Sequence, residues 1–214
     1  MMRISKFIVN PFLETTYLLT DEATNKAAVV DPGMMNADER AAFDNFIENN
    51  NIKLIQVINT HLHIDHCFSD NYVKNKYGVK VAAHIGDAEQ GDRLAQQAKM
   101  FGLPGAEASV DIDVPLKEGD IIEIGESKLS VIEVPGHTQG GIALYCKEQG
   151  FLIAGDSLFE ESIGRADLPG GNIWQLVKNI KNKLLTLPKD TLVLPGHGPE
   201  TTIGHELEYN PHFQ

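Results

Sequence analysis

The sequence predicts an α/β protein. Most of its 214 residues alternate between short apolar runs of strand length and longer amphipathic stretches of helical period. Five of the apolar runs also end at a histidine or an aspartate, four of them through a turn containing Gly or Pro. A chain of this length buries roughly 70% of its unfolded surface, so it can hold a core without disulfide staples.

The elements follow in order. Residues 4–9, 16–19 and 27–30 read as strands, and 38–50 as a helix with Ala42, Phe43, Phe46 and Ile47 on one face. Residues 52–59 form a strand. After His66, Tyr72, Val73 and Tyr77 ahead of Gly78 mark a helix closed by a C-terminal glycine. A strand at 79–83 and a helix at 87–101 come next, then a loop at 102–115 carrying two prolines, two glycines and three acids. Strands are expected at 121–124, 128–134, 141–146 and 151–154. Asn172 caps a helix running to about Leu187, with Trp174, Val177, Ile180 and Leu184 assigned to the core. The last strand is 191–194.

Composition narrows the function classes. A net charge of −12, from 18 Lys and Arg against 30 Asp and Glu, opposes a nucleic-acid partner, whose affinity comes from neutralised phosphates. The acidity reads as a solubilising surface. Cys67 and Cys146 are too few for a disulfide framework and fit a reducing compartment. No signal-like apolar run precedes Asn10 and Pro11, and no run approaches a membrane span, so a cytoplasmic protein without a membrane partner is expected. The oligomeric state is left open.

The strand exits carry the chemistry. A-A-V-V runs into Asp31, I-Q-V-I-N-T into His61, and L-S-V-I-E-V into Pro135-Gly136-His137. F-L-I-A runs into Gly155-Asp156, and T-L-V-L into Pro195-Gly196-His197. In extended chain His61 and His63 point to the same side, because side chains alternate. They can close on one ion, while Asp65 and His66, beyond the turn, begin a second. A carboxylate has two oxygens and can bridge two cations. The economical arrangement gives one metal His61, His63, His137 and Asp156, and the other Asp65, His66, His197 and Asp156. His84 closes a strand without a partner pattern and reads as structural, or as a support near the site. His205 and His212 are given no role.

H-x-H-x-D-H at 61–66, with the ligands at 137, 156 and 197, resembles the metallo-β-lactamase superfamily. The resemblance implies an αβ/βα sandwich of two mixed sheets flanked by helices, with two divalent metals at one edge. It also implies that Asp31 supports the site without ligating. G-D-S-L-F around Asp156 and P-G-H-T at 135–138 resemble the glyoxalase II branch. N-P-F-L-E-T-T-Y, S-I-G-R-A-D-L-P-G-G and P-G-H-G-P-E-T-T-I-G-H-E resemble its compact, single-domain members. Zinc β-lactamases of the common secreted type place a cysteine where Asp156 stands, and the superfamily's nucleases add basic exosites. The larger glyoxalase II enzymes carry a C-terminal helical domain that grips glutathione. Residues 198–214 are too few for one, so residues 1–214 are expected to form a single domain.

The expected function is hydrolysis of a small-molecule thioester such as S-lactoylglutathione, by a hydroxide bridging the two metals and oriented by Asp65. Zinc is the first candidate, with iron or manganese compatible with the same ligands. Persulfide dioxygenases share the G-R-x-D loop and hold one iron, which His61, His137 and Asp156 could ligate. A non-catalytic metal-binding module is the remaining alternative. Arg165 either receives a substrate carboxylate or pairs with Asp167. Tyr145, on the strand after His137, either lines the pocket or packs inward as a strand tyrosine. Cys67 is either a small buried hydrophobe or a thiol whose pKa a helix start lowers.

Overall fold

The computed structural model describes residues 1–103 and 109–214. β1 (Met2–Val9) pairs antiparallel with β2 (Glu14–Asp21), and β2 with β3 (Lys26–Val30). Every residue of β2 is buried, with Leu18 in one apolar cluster and Leu19 in another. Adjacent side chains on a strand face opposite ways, so this sheet is covered on both sides.

Helix α1 (Ala37–Asn49) starts at a capping box, in which Asn36 accepts from the Glu39 amide and Glu39 from the Asn36 amide. Its buried face is Phe43 and Ile47, with Phe46 half-buried; Ala42 faces solvent, contrary to expectation. Strand β4 (Lys53–Ile58) continues the sheet in parallel. The single turn α2 (Ile64–Cys67) and α3 (Asp70–Tyr77) follow, the latter closed by Gly78 at φ 66° as expected. Strand β5 (Lys80–His84) lies parallel to β4.

The helix expected at 87–101 is broken into a 3₁₀ turn (Ile85–Asp87), α4 (Ala88–Gly91) and α5 (Leu94–Phe101). Gly91 packs so closely on the Val110 carbonyl and Leu62 that a Cβ would meet both, and Asp87 turns inward to take amide hydrogen bonds. Of the loop expected at 102–115, residues 104–108 lie outside the described residues. Its end is already β6 (Val114–Leu116), the edge of a six-stranded sheet ordered β1-β2-β3-β4-β5-β6.

The second half builds another mixed sheet. Strands β7 (Ile121–Ile124), β8 (Ser127–Glu133), β9 (Ile142–Cys146) and β10 (Phe151–Gly155) form an antiparallel meander. A small hairpin, β11 (Leu158–Phe159) with β12 (Ser162–Ile163), leads to α6 (Ile173–Asn179), capped by Asn172 as expected. It ends in a π-type turn, Ile180–Leu184. Strand β13 (Leu192–Pro195) runs parallel to β10, and the short β14 (Thr201–Thr202) precedes α7 (Ile203–Tyr209). The order is β14-β13-β10-β9-β8-β7.

Three apolar clusters give the layers. Leu19, Val30 and Ile58 of the first sheet meet Leu129, Leu144 and Ile153 of the second. Leu18, Val29, Val57 and Val81 pack under α1, α3 and α5. Leu152, Ala154 and Val193 pack under α6, the π-type turn and α7. The expected sandwich of two mixed sheets flanked by helices is therefore observed. Trp174 is a correction: it is 84% exposed, and Leu176 occupies the buried position instead. Among the described residues no helix is long and apolar enough to cross a membrane.

Candidate metal centre

Strand direction brings the chemistry to one edge. β3 and β4 run parallel, as do β10 and β13, and β8 shares β10's direction because both are antiparallel to β9. The chain therefore leaves these five strands at C-terminal ends that deliver Asp31, His61, His137, Asp156 and His197. The turn after β10 needs Gly155, at φ 51°, since a Cβ there would run into the Thr60 side chain.

The expected ligands fall into two adjoining groups. Ligand atoms of His61, His63 and His137 lie within 4.8 Å of one another, as do those of Asp65, His66 and His197. His63 Nδ1 faces His137 Nε2 at 2.8 Å, and His66 Nε2 faces His197 Nε2 at 3.3 Å. Asp156 stands between the groups. Its Oδ2 is 3.7 Å from His137 Nε2 and 3.6 Å from His197 Nε2, and its Oδ1 is 3.4 Å from His66 Nε2. Asp65 Oδ2 is 3.3 Å from His197 Nε2.

Outward-facing nitrogens are held by the fold. His137 Nδ1 donates to the Arg165 carbonyl at 2.6 Å and His197 Nδ1 to the Phe12 carbonyl at 3.0 Å. His66 Nδ1 donates to Asp31 Oδ2 at 3.0 Å. Thr60 donates its hydroxyl to the same oxygen at 2.6 Å, so its own oxygen accepts from His61 Nδ1 at 3.1 Å. Asp31 thus orients one histidine of each group, while the Thr60 amide fills its Oδ1 at 2.7 Å. Both its oxygens accept hydrogen bonds, and it also lies within ligand range of His61 and His66.

These residues fit divalent cations. His61 Nε2 and Asp156 Oδ1 are buried polar atoms without a hydrogen-bond partner among the described residues, a costly arrangement unless something else satisfies them. Burial, reinforced by the neighbouring imidazoles, holds His61 well below the usual histidine range and His63 down at about 3. Both are therefore neutral, as ligation requires. Burial opposes charge on Asp156 too, but His66, His137 and His197 outweigh it and keep the carboxylate ionised. His66 carries the opposite balance: burial lowers it, yet Asp156, Asp65 and Asp31 raise it well above its ordinary value, so a cation bound there would displace its proton.

Other expectations resolve differently. Arg165 borders the cleft, but its guanidinium makes a bidentate pair with Asp167 at 2.7 and 2.8 Å, the second of the two expected roles. Tyr145 does not line the cleft. It packs with Leu152, Val193 and Ile180 on the helix-covered face of the second sheet, because its neighbours Leu144 and Cys146 take the inward positions. Cys67 is buried; its thiol donates to the His63 carbonyl and burial pushes its pKa up. His84 pairs with Glu133, and His205 with Glu161.

Several contributors were missed. Asp87 accepts from the Leu62 and Gly140 amides and from Thr138, and so ties the 61–66 loop to the loop after His137. Gln97 of α5 accepts from the Ile64 amide and donates to the Leu62 carbonyl. Asn10 donates to the Asp65 carbonyl, and Phe12, Phe101 and Leu168 border the cleft. The only signal was the 10–17 stretch N-P-F-L-E-T-T-Y, which contains Asn10 and Phe12 without suggesting a role for either.

A model of the metallo-beta-lactamase superfamily matches residues 9–197. The chain is similar to hydroxyacylglutathione hydrolase GloC of Haemophilus influenzae, 33% identical over 211 residues that span 98% of this chain and 97% of that protein. It is similar also to the probable metallo-hydrolase YqgX of Bacillus subtilis, 34% identical over 214 residues, 98% and 97% of the two chains. Among solved structures, the BLEG-1 B3 metallo-beta-lactamase superimposes with a TM-score of 0.89 at 30% identity over 99% of each chain. TTHA1623 in a di-iron-bound form gives 0.85 at 30% identity over 97% of this chain and 98% of that one. ETHE1 from Myxococcus xanthus gives 0.79 at 26% identity over 98% and 84%.

Proposed function

The chain belongs to the metallo-β-lactamase superfamily, and from that premise we propose that it is a two-metal hydrolase of thioesters of the S-lactoylglutathione kind. The observation that carries this reading is the placement of Asp156, with one oxygen nearly equidistant from His137 and His197 and the other toward His66. A carboxylate so placed can serve both groups at once. Similarity to GloC supports the thioester.

His61, His63, His137 and Asp156 would hold one cation, and Asp65, His66, His197 and Asp156 the other. Bound there, the ions would supply a water acidic enough to be nucleophilic near neutral pH and an electrophilic partner for the carbonyl oxygen. Asp65 stays ionised despite its burial, because His66 and His197 hold it below the usual carboxylate range. It can therefore orient the attacking water by accepting its hydrogen bond. Phe12, Phe101 and Leu168 border the cleft and limit bulk water around the reacting carbonyl. The leaving group is a thiolate, whose parent thiol has a pKa of ~8.5, so no strong general acid is needed. Zinc is the first candidate metal, and iron is supported by the di-iron form of a structural neighbour.

The test is hydrolysis of S-D-lactoylglutathione by the metal-reconstituted protein. Turnover is expected, with kcat/KM falling by more than about 100-fold in His63→Ala. A protein that holds two metals yet hydrolyses no thioester, or turns over only a β-lactam, would contradict the proposal.

His61, His137 and Asp156 also form a two-histidine, one-carboxylate set suited to a single iron, which supports a second reading as a persulfide dioxygenase. The intact second group at Asp65, His66 and His197 favours the hydrolase. Oxygen uptake with glutathione persulfide separates the two.

A further inference from the structure

Beside the metal cleft lies a second, smaller cavity whose chemistry is different. It shares His63, Phe101 and Leu168 with the cleft, and Met100 and Pro169 complete its apolar walls. One wall is the C-terminal turn of α5, and the other is the loop that follows the β11–β12 hairpin. Gln90 of α4, Gln96 and Gln97 of α5, and Arg93 between the two helices, paired with Glu89, make up the rest of the perimeter. Gln97, on its lining, is already committed to Leu62 and Ile64 through hydrogen bonds.

Two observations show that these apolar groups are not core. Met100 is 64% exposed and Phe101 40%, an unfavourable display at the rim of a cleft unless a ligand covers it. Phe101 is held in place by an edge-on contact with Phe12, ring centroids 5.6 Å apart, and Phe12 is the residue whose carbonyl orients His197. The apolar wall is therefore fixed to the same framework as the metal ligands.

We propose that this slot receives the acyl arm of the substrate, and that Met100, Phe101 and Leu168 select a short alkyl group. The assignment rests on the thioesterase reading. A peptide thiol such as glutathione is too large and too polar for an apolar slot of this size, which leaves the acyl side of the scissile bond. Size sets the arm. The cavity volume is about 100 Å³, whereas a dry cavity of about 150 Å³ accepts benzene. The slot is open to solvent on one side, so an arm of about four carbon atoms fills it and a phenyl ring overfills it. Short aliphatic thioesters are thus better substrates than lactoyl or acetyl ones, since one methylene in an apolar pocket is worth roughly tenfold or more in discrimination.

The experiment is a kcat/KM series on glutathione thioesters with acetyl, D-lactoyl, butanoyl, 3-methylbutanoyl and benzoyl groups, using the metal-loaded protein. Butanoyl and 3-methylbutanoyl are expected to exceed acetyl by at least about tenfold, with benzoyl no better than acetyl. In Leu168→Gln and Met100→Gln, both at exposed or half-exposed positions, that ratio should fall towards one. A flat profile, or a preference that survives both variants, overturns the slot while leaving the thioesterase standing. No turnover of any member overturns the thioesterase reading and the slot with it.

Discussion

Asp31 concentrates the organisation of the site in one carboxylate. It sits at φ 51°, in the left-handed region that asparagine and aspartate tolerate better than most residues. From there it holds His66 directly and His61 through Thr60. Asp31→Asn keeps the backbone but puts a donor where acceptors are needed. Metal affinity measured by chelator competition should fall about 10–100-fold in that variant; unchanged affinity would remove Asp31 from the support of the site. That these histidines and aspartates come together was legible in sequence, because such residues at successive strand exits have few other uses. Supports such as Asp87 and Gln97 were not, since a lone polar residue in a helical stretch carries no mark of the amide it will meet. Trp174 misled for a related reason: periodicity says which residues share a face, and only the tertiary packing says which face is covered.

At the scale of elements, α1 and α3 are joined by Asp44. Its carboxylate accepts from Lys76 at 2.6 Å, Tyr72 at 2.5 Å and Tyr77 at 2.6 Å. Burial raises its pKa, but these three donors and the Lys76 charge outweigh it and hold the group below the usual carboxylate range. A depressed folded pKa contributes stability that is complete above the unfolded value of ~3.9 and is lost as pH falls through the folded value. Asp44→Asn should therefore lower the Tm by about 2–4 °C at pH 7, on the order of 1 kcal/mol. The difference from wild type should shrink in acid. A gap that stays constant with pH would show that the carboxylate charge is not what joins the helices. Most helices and strands were legible from their apolar period, within a residue or two at each end. The segment at 87–101 was not: its pattern is helical throughout, and what breaks it is the close approach of Gly91 to Val110 and the inward turn of Asp87.

At the scale of the whole molecule, the site is where the two sheets meet. The first sheet supplies Asp31, His61, His63, Asp65 and His66, and the second supplies His137, Asp156 and His197. Each proposed metal therefore takes ligands from both sheets, and binding is coupled to their docking. Each ion at 100 times its Kd should add about 2.7 kcal/mol, raising the Tm by about 5–11 °C. A Tm indifferent to chelation would place the metals outside the sheet junction. The layered class was legible from alternation, whereas the strand order was not, because it depends on which apolar faces pair across distant segments. The central claim is that Asp156 joins two metal sites, and metal content per chain in Asp156→Ala, measured by mass spectrometry beside wild type, tests it most directly. The account predicts two ions in the wild-type protein and the loss of both in the variant. A variant that keeps near-wild-type metal content would contradict it.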